Sequence, residues 1–234
     1  MKKIIQYFVL TAIAVFAFGV LSQTNAQVDQ TIIRELYNRM GENQKTLKSL
    51  KSKVRMERYN SQLKEVETAQ DGTVLYIPAK GKNANVRIDW TYPQQETLSV
   101  VNGKYLLYRP RLEQVIEGRT SEVQKKDAGS GLQFINMSPQ ELKQNFDAKW
   151  LGSELIAKGT ISAYKLKLTP KKPMQYSYAE VWVTPEGMPT QVKMYEKNGD
   201  WTNILLYTLE KNASIKLDQL GLSNLPKSVK RVKG

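Results

Sequence analysis

No cysteine and no histidine occurs in the 234 residues, and each absence removes a class of chemistry. Without Cys there is no disulfide, no thiolate nucleophile and no lipid-bearing Cys to follow a leader. Without His, Ser-His-Asp and Cys-His nucleophiles are excluded, as are zinc sites built from His or Cys. A carboxylate pair or a lysine base would remain for catalysis, yet no spacing of Asp or Glu marks either. The reading is of a non-enzyme with no cofactor and no metal. Acidic side chains are also scarce, 22 against 35 Lys and Arg.

The N-terminus is a leader. Lys2 and Lys3 precede an almost wholly apolar run from Ile4 to Val20, and Thr24-Asn25-Ala26 offers small residues where a signal peptidase cuts. The run is about 13 to 17 residues, short of the ~20 that span a bilayer; an uncleaved anchor is the alternative. Residues 1–26 therefore read as a cleaved signal peptide and 27–234 as one exported domain. Removing the leader leaves 33 basic against 22 acidic side chains, or +11. Nucleic acid is a poor partner for an exported protein, so the charge points to an anionic membrane surface or to a basic surface kept for solubility.

The mature chain opens with a helical pattern. Ile33, Leu36, Tyr37 and Met40 fall at i, i+3, i+4 and i+7 and form one apolar stripe. Gly41 is expected to loosen or end that helix, and Leu47 and Leu50 suggest a further turn or two. The stripe is either plain core packing or a cover over an apolar surface. From about residue 52 the period changes to 2, as in Val86-Arg-Ile-Asp-Trp90, Tyr105-x-Leu107 and Tyr164-Lys-Leu-Lys-Leu168. Such alternation marks antiparallel strands with one dry and one wet face. Asp71-Gly72, Asn102-Gly103, Glu186-Gly187 and Asn198-Gly199 supply the turns. Mid-chain, Ser138-Pro-Gln-Glu141 reads as a capped helix start, with Leu142 and Phe146 on its apolar side. Residues 125–131 read as a loop, and the basic tail from Lys227 to Gly234 as partly frayed. A sheet this large must curl, split or close. It holds either a filled sandwich-like core or a cavity under the helices. A transmembrane barrel fits poorly with short strands, a Lys-rich polar face and an N-terminal helix.

Several segments carry a family resemblance. Gly72-Thr-Val-Leu-Tyr76, Val86-Arg-Ile-Asp-Trp90, Val101-Asn-Gly-Lys-Tyr105 with Tyr108, Pro110 and Gln114, then Tyr164-Lys-Leu-Lys-Leu-Thr-Pro170, Val181-Trp-Val-Thr-Pro-Glu-Gly-Met-Pro189 and Glu196-Lys-Asn-Gly-Asp200 occur in that order. Over about residues 30 to 232 the chain resembles the LolA-like outer-membrane lipoprotein carriers. The resemblance implies a mainly β (α+β) fold: a large curled antiparallel sheet forming a half-open barrel of about 10–11 strands with a helical lid. It also implies a monomeric periplasmic carrier that holds lipoprotein acyl chains or other lipids. Its membrane partners would be an inner-membrane releasing complex and an outer-membrane receptor. A lipid- or lipoprotein-sensing or structural module of the same fold is the alternative.

On that reading the cavity wall falls to Trp90, Leu98, Val100, Leu107, Leu166, Leu168, Val183 and Met194, although alternation alone fits ordinary core equally well. The lid falls to Ile33, Leu36, Met40, Leu142 and Phe146. The carriers place an Arg-Pro after the second hairpin strand, whose Arg holds the lid shut. Here that stretch is Ile77-Pro-Ala-Lys-Gly-Lys82, which leaves Lys80, Lys82 or the next arginine, Arg87, as closing donors. Lysine is the poorer multi-donor.

Overall fold

The computed structural model describes residues 27–78, 84–120, 134 and 137–234. The expected signal peptide, the loop at 125–131, Lys80 and Lys82 lie outside the described residues. Strands β1 (Leu50–Asn60), β2 (Glu65–Val66), β3 (Gln70–Ile77), β4 (Asn85–Tyr92), β5 (Glu96–Val101), β6 (Lys104–Arg109) and β7 (Gln114–Arg119) fill the first half. The second half holds β8 (Phe146–Ile156), β9 (Ile161–Pro170), β10 (Tyr176–Val183), β11 (Pro189–Glu196), β12 (Trp201–Lys211) and β13 (Lys230–Lys233). They form one 13-stranded sheet in the order β13-β7-β6-β5-β4-β3-β1-β12-β11-β10-β9-β8, with β2 paired to β1 alongside. Helix α1 spans 27–46 and α2 spans Pro139–Asn145. Among the described residues, no helix is long and apolar enough to cross a membrane.

The sheet is curled and open. Leu50, Val74 and Ile88 from one half share a buried cluster with Leu166, Val181 and Val192 from the other, together with the α1 stripe. Strands so far apart in the sheet order reach one cluster only if the sheet bends around it. β13 and β8 end the hydrogen-bonded order at opposite sides. This is the half-open barrel expected from the sequence; among the described residues it has 13 strands rather than 10–11, counting the two-residue β2 and the four-residue β13.

Three local expectations are corrected. α1 runs through Gly41 to residue 46. A glycine in a helix costs about 1 kcal/mol, less than the burial of Ile33, Leu36, Tyr37 and Met40, each at most 5% exposed, returns. Leu50 does not extend the helix but starts β1, pairing with both Tyr76 and Lys211. The chain turns there because Asn212 bridges it, accepting from the Lys48 amide at 2.7 Å and donating its own amide to the Ser49 carbonyl at 2.8 Å. The basic tail is not frayed: β13 pairs in parallel with β7, and Arg231 meets Glu117 at 2.7 Å.

α1 is seated on the β10–β11 turn. Arg39 donates to the Pro185 carbonyl at 3.1 Å and Asn43 to the Met188 sulfur at 3.4 Å. Gly187 sits between them at φ +84°, and a Cβ there would strike the Arg39 carbonyl group. Gly187→Ala should therefore cost about 2 kcal/mol or more, from backbone strain and displacement of α1. A urea melt followed by tryptophan fluorescence checks this; an unchanged midpoint would mean that α1 does not bear on the turn.

Candidate functional site

The site is built from the sheet's inner face, read strand by strand. Across β3 to β7 the register aligns Val74, Ile88, Leu98, Leu107 and Ile116 in one row, and Tyr76, Val86, Val100, Tyr105 and Gly118 in the next. Alternation fixes which side chains face inward, and cross-strand pairing makes the rows continuous. Gly118 leaves room for the Tyr105 ring, which a Cβ at that position would meet at 2.7 Å. Glu96, opposite Trp90, pairs with Arg109 at 3.1 Å and places a charged rim at one end of the rows.

Burial divides this face in two. Over β9 to β11, Leu166, Leu168, Val183 and Met194 are fully packed beneath α1, α2 and Phe134. The crevice beside Phe134, Val181, Val192 and Ile204 is too narrow for a water molecule. Over β4 to β7, Ile88 is buried, but Trp90, Leu98, Val100, Tyr105, Leu107 and Ile116 are only half-buried. Trp90 and Leu98 pack against the edge of the core, whereas Val100, Tyr105, Leu107 and Ile116 lie outside it. The eight residues expected to wall a cavity thus separate into four that fill the core and four that floor an accessible apolar strip. Tyr105 and Ile116 also belong to the strip. Tyr105 follows the same alternation as Leu107, but Val115 and Ile116 are both apolar, so periodicity cannot say which faces inward.

The helical residues Ile33, Leu36, Met40, Leu142 and Phe146 are all buried in the main cluster. Phe146 ends α2 as its C-cap and begins β8. α2 has the expected capping box between Ser138 and Glu141 and comes close to α1, where Pro139 lies 3.7 Å from a Cβ built on Gly41. The dry interior also holds phenols. Burial pushes the Tyr37, Tyr76 and Tyr176 hydroxyls up to about 12, so all three stay neutral. Among the described residues, the Tyr37 and Tyr176 hydroxyls have no hydrogen-bond partner.

Arg87 lies on the outer face. It pairs with Asp89 at 2.8 Å and donates to the Gly221 and Gln219 carbonyls at 2.9 and 3.2 Å. With Ser99 donating to the Leu220 carbonyl at 2.6 Å, it clamps the C-terminal segment over β4 and β5. Leu220 of that segment is fully buried, as is Val115 on β7. The guanidinium so engaged reaches neither α1 nor α2 among the described residues.

An open half-barrel with helices packed on its inner face and an apolar strip left beside them is the fold expected from the sequence resemblance. A family model described as an uncharacterized protein matches residues 94–215, just over half of the chain, and the chain belongs to that family. Sequence comparison with curated proteins finds no match. Among solved structures, MucB is similar at 15% identity over 83% of this chain and 64% of its own, with a TM-score of 0.56. The chain thus spans about two thirds of MucB, which is also known from Pseudomonas aeruginosa in complex with MucA. An uncharacterized conserved protein from Thermus thermophilus is 12% identical over 86% of this chain and 98% of its own, with a TM-score of 0.54. The Mycobacterium tuberculosis lipoprotein LppX is 16% identical over 81% of this chain and all of its own, with a TM-score of 0.47. At these identities the likeness is one of fold.

Proposed function

We propose that the protein is a non-catalytic periplasmic carrier that binds the acyl chains of lipoproteins or other lipids and passes them from the inner to the outer membrane. The half-buried apolar strip on the inner face of β4–β7 carries this reading. An acyl chain drawn from a membrane gives up about 0.8 kcal/mol per CH₂, so a chain of about 16 carbons needs roughly 12 kcal/mol of replacement contact. Leu98, Val100, Leu107 and Ile116 offer that contact along adjacent strands. An open strip also lets the chain leave, which a sealed cavity would not. The basic balance of the mature chain suits approach to anionic headgroups.

Mass spectrometry of protein purified from the periplasm tests the proposal. The protein should begin at Gln27 and bring a diacyl lipid or lipoprotein with it in near one-to-one amount. A retained Met1, or a periplasmic protein free of lipid, would contradict the reading. The complex of MucB with MucA favours one alternative, a sensing module for an envelope protein. Recovery of a stoichiometric protein without acyl chains would select it.

A further inference from the structure

The apolar strip ends on a row of polar side chains to which the carrier reading gives no task. Glu96, Arg109, Gln114 and Lys230 each stand two residues along their strands from Leu98, Leu107, Ile116 and Val232. Side chains two apart in a strand share a face, so the polar row points inward with the strip. The register agrees: Glu96 lies opposite Trp90, Arg109 opposite Gln114, and Gln114 opposite Lys230. Val232, half-buried opposite Ile116, carries the strip on to the edge of the sheet.

The fold makes little use of these groups. Arg109 approaches Glu96 through Nε, at 3.1 Å. That nitrogen is buried and makes no hydrogen bond among the described residues. The rest of the guanidinium stays within reach of solvent, the side chain being 36% exposed. Among the described residues its two terminal nitrogens have no hydrogen-bond partner, and neither do the side chains of Gln114 and Lys230. Arg87 is the contrast: its nitrogens are taken up by Asp89 and by the Gln219 and Gly221 carbonyls.

The charge of the row narrows the ligand. Two cations, Arg109 and Lys230, stand against one carboxylate, Glu96, which leaves the row net positive beside an apolar surface. An ammonium head would meet that excess charge. A neutral glyceride would leave Lys230 and the outward nitrogens of Arg109 unmatched. A guanidinium offers paired donors in the geometry that carboxylate and phosphate accept, and such charge-assisted bonds are the strong ones. Resting on the carrier reading of the strip, we infer that Arg109, Gln114 and Lys230 form a headgroup subsite for an acyl lipid with an anionic head, a carboxylate or a phosphodiester. The ligand then lies in one direction, its head at this row and its chain over Leu107, Leu98 and Val100.

The test titrates the full mature protein with monopalmitoylglycerol, palmitate and palmitoyl-lysophosphatidylglycerol below their micelle concentrations, and with glycerol phosphate, which has a head and no chain. Calorimetry and tryptophan fluorescence follow binding. At least one anionic lipid should bind roughly tenfold or more tighter than the neutral glyceride, and the preference should shrink as salt rises. Preference for either anion supports the subsite, and the tighter of the two names the head it takes. Lys230→Glu and Arg109→Gln should each erase most of the preference while the glyceride binds as before. Lys230 is exposed and unpaired among the described residues, so its variant keeps the test decisive if Arg109→Gln, which strands Glu96, fails to fold. Equal affinity for charged and neutral lipids, an unchanged preference in both variants, or glycerol phosphate binding as well as the lipids would overturn the inference and leave the carrier reading standing. Failure of all three lipids to bind would overturn both.

Discussion

Leu36→Asp is expected to unfold the protein rather than to loosen a cover. Leu36 is 2% exposed and stands in the same cluster as Ile33, Tyr37 and Met40 of its own helix and Leu166, Leu168 and Val181 of the sheet. Truncating such a leucine costs about 2–5 kcal/mol through lost transfer energy and the cavity left behind. A carboxylate adds the penalty of an unpaired charge in an apolar surround. Together these approach the whole stability of a domain, about 5–15 kcal/mol. Circular dichroism and urea melts measure the loss. Leu36→Met, which nearly conserves volume, should cost less than about 1.5 kcal/mol. A Leu36→Asp protein that stays folded yet no longer binds lipid would return α1 to the part of a movable lid.

The second large effect is the converse, a loss of binding without a loss of fold. Leu107 is half-buried and belongs to neither buried cluster. Leu107→Asp should leave the melting temperature within a few degrees of wild type, since the carboxylate can keep its water. It should still weaken binding of a fluorescent fatty acid by tenfold or more, because a bound acyl chain would have to strip that water away. Leu168→Asp, placed on the same inner face but fully buried, should unfold the protein instead. If Leu107→Asp bound the fatty acid as wild type does, the strip on β4–β7 would not be the acyl site. Trp90→Arg is a less clean probe because Trp90 packs on the core.

The contrast between Leu107 and Leu168 shows what the sequence makes legible. Both stand at alternate positions in strands, so both are readable as dry-face residues. Their difference in burial depends on where α1 lies, a contact between segments more than a hundred residues apart for Leu168. Asn102-Gly103, Glu186-Gly187, Asn198-Gly199 and nearly all strands are local features and can be read directly. Asp71-Gly72, expected as a turn, instead lies inside β3, where Gly72 pairs with Val54 and Trp90 and a Cβ on it would meet the Asp89 carbonyl oxygen. Gly41 is a misleading stop because tertiary burial outweighs a small propensity cost. The tail reads as frayed because its four basic residues have no acid among them in sequence, whereas Glu117 waits for Arg231 on another strand. Arg87 is readable as an outward-facing residue, but its partners, the carbonyls of Gln219 and Gly221, lie far along the chain. The polar row at the end of the strip is hidden for the same reason. Glu96, Arg109, Gln114 and Lys230 become neighbours only through the register of four strands.

Photocrosslinking tests the central claim most directly. A palmitate analogue with a carbene precursor near its methyl end would be bound to the mature protein, irradiated and mapped by peptide mass spectrometry. Adducts should concentrate on β4–β7, at Leu98, Val100, Tyr105, Leu107 and Ile116, and unlabelled palmitate should compete them away. Adducts concentrated on β9–β11, at Leu166, Leu168, Val183 or Met194, would instead show that the packed core opens to admit the chain. That result would contradict the account.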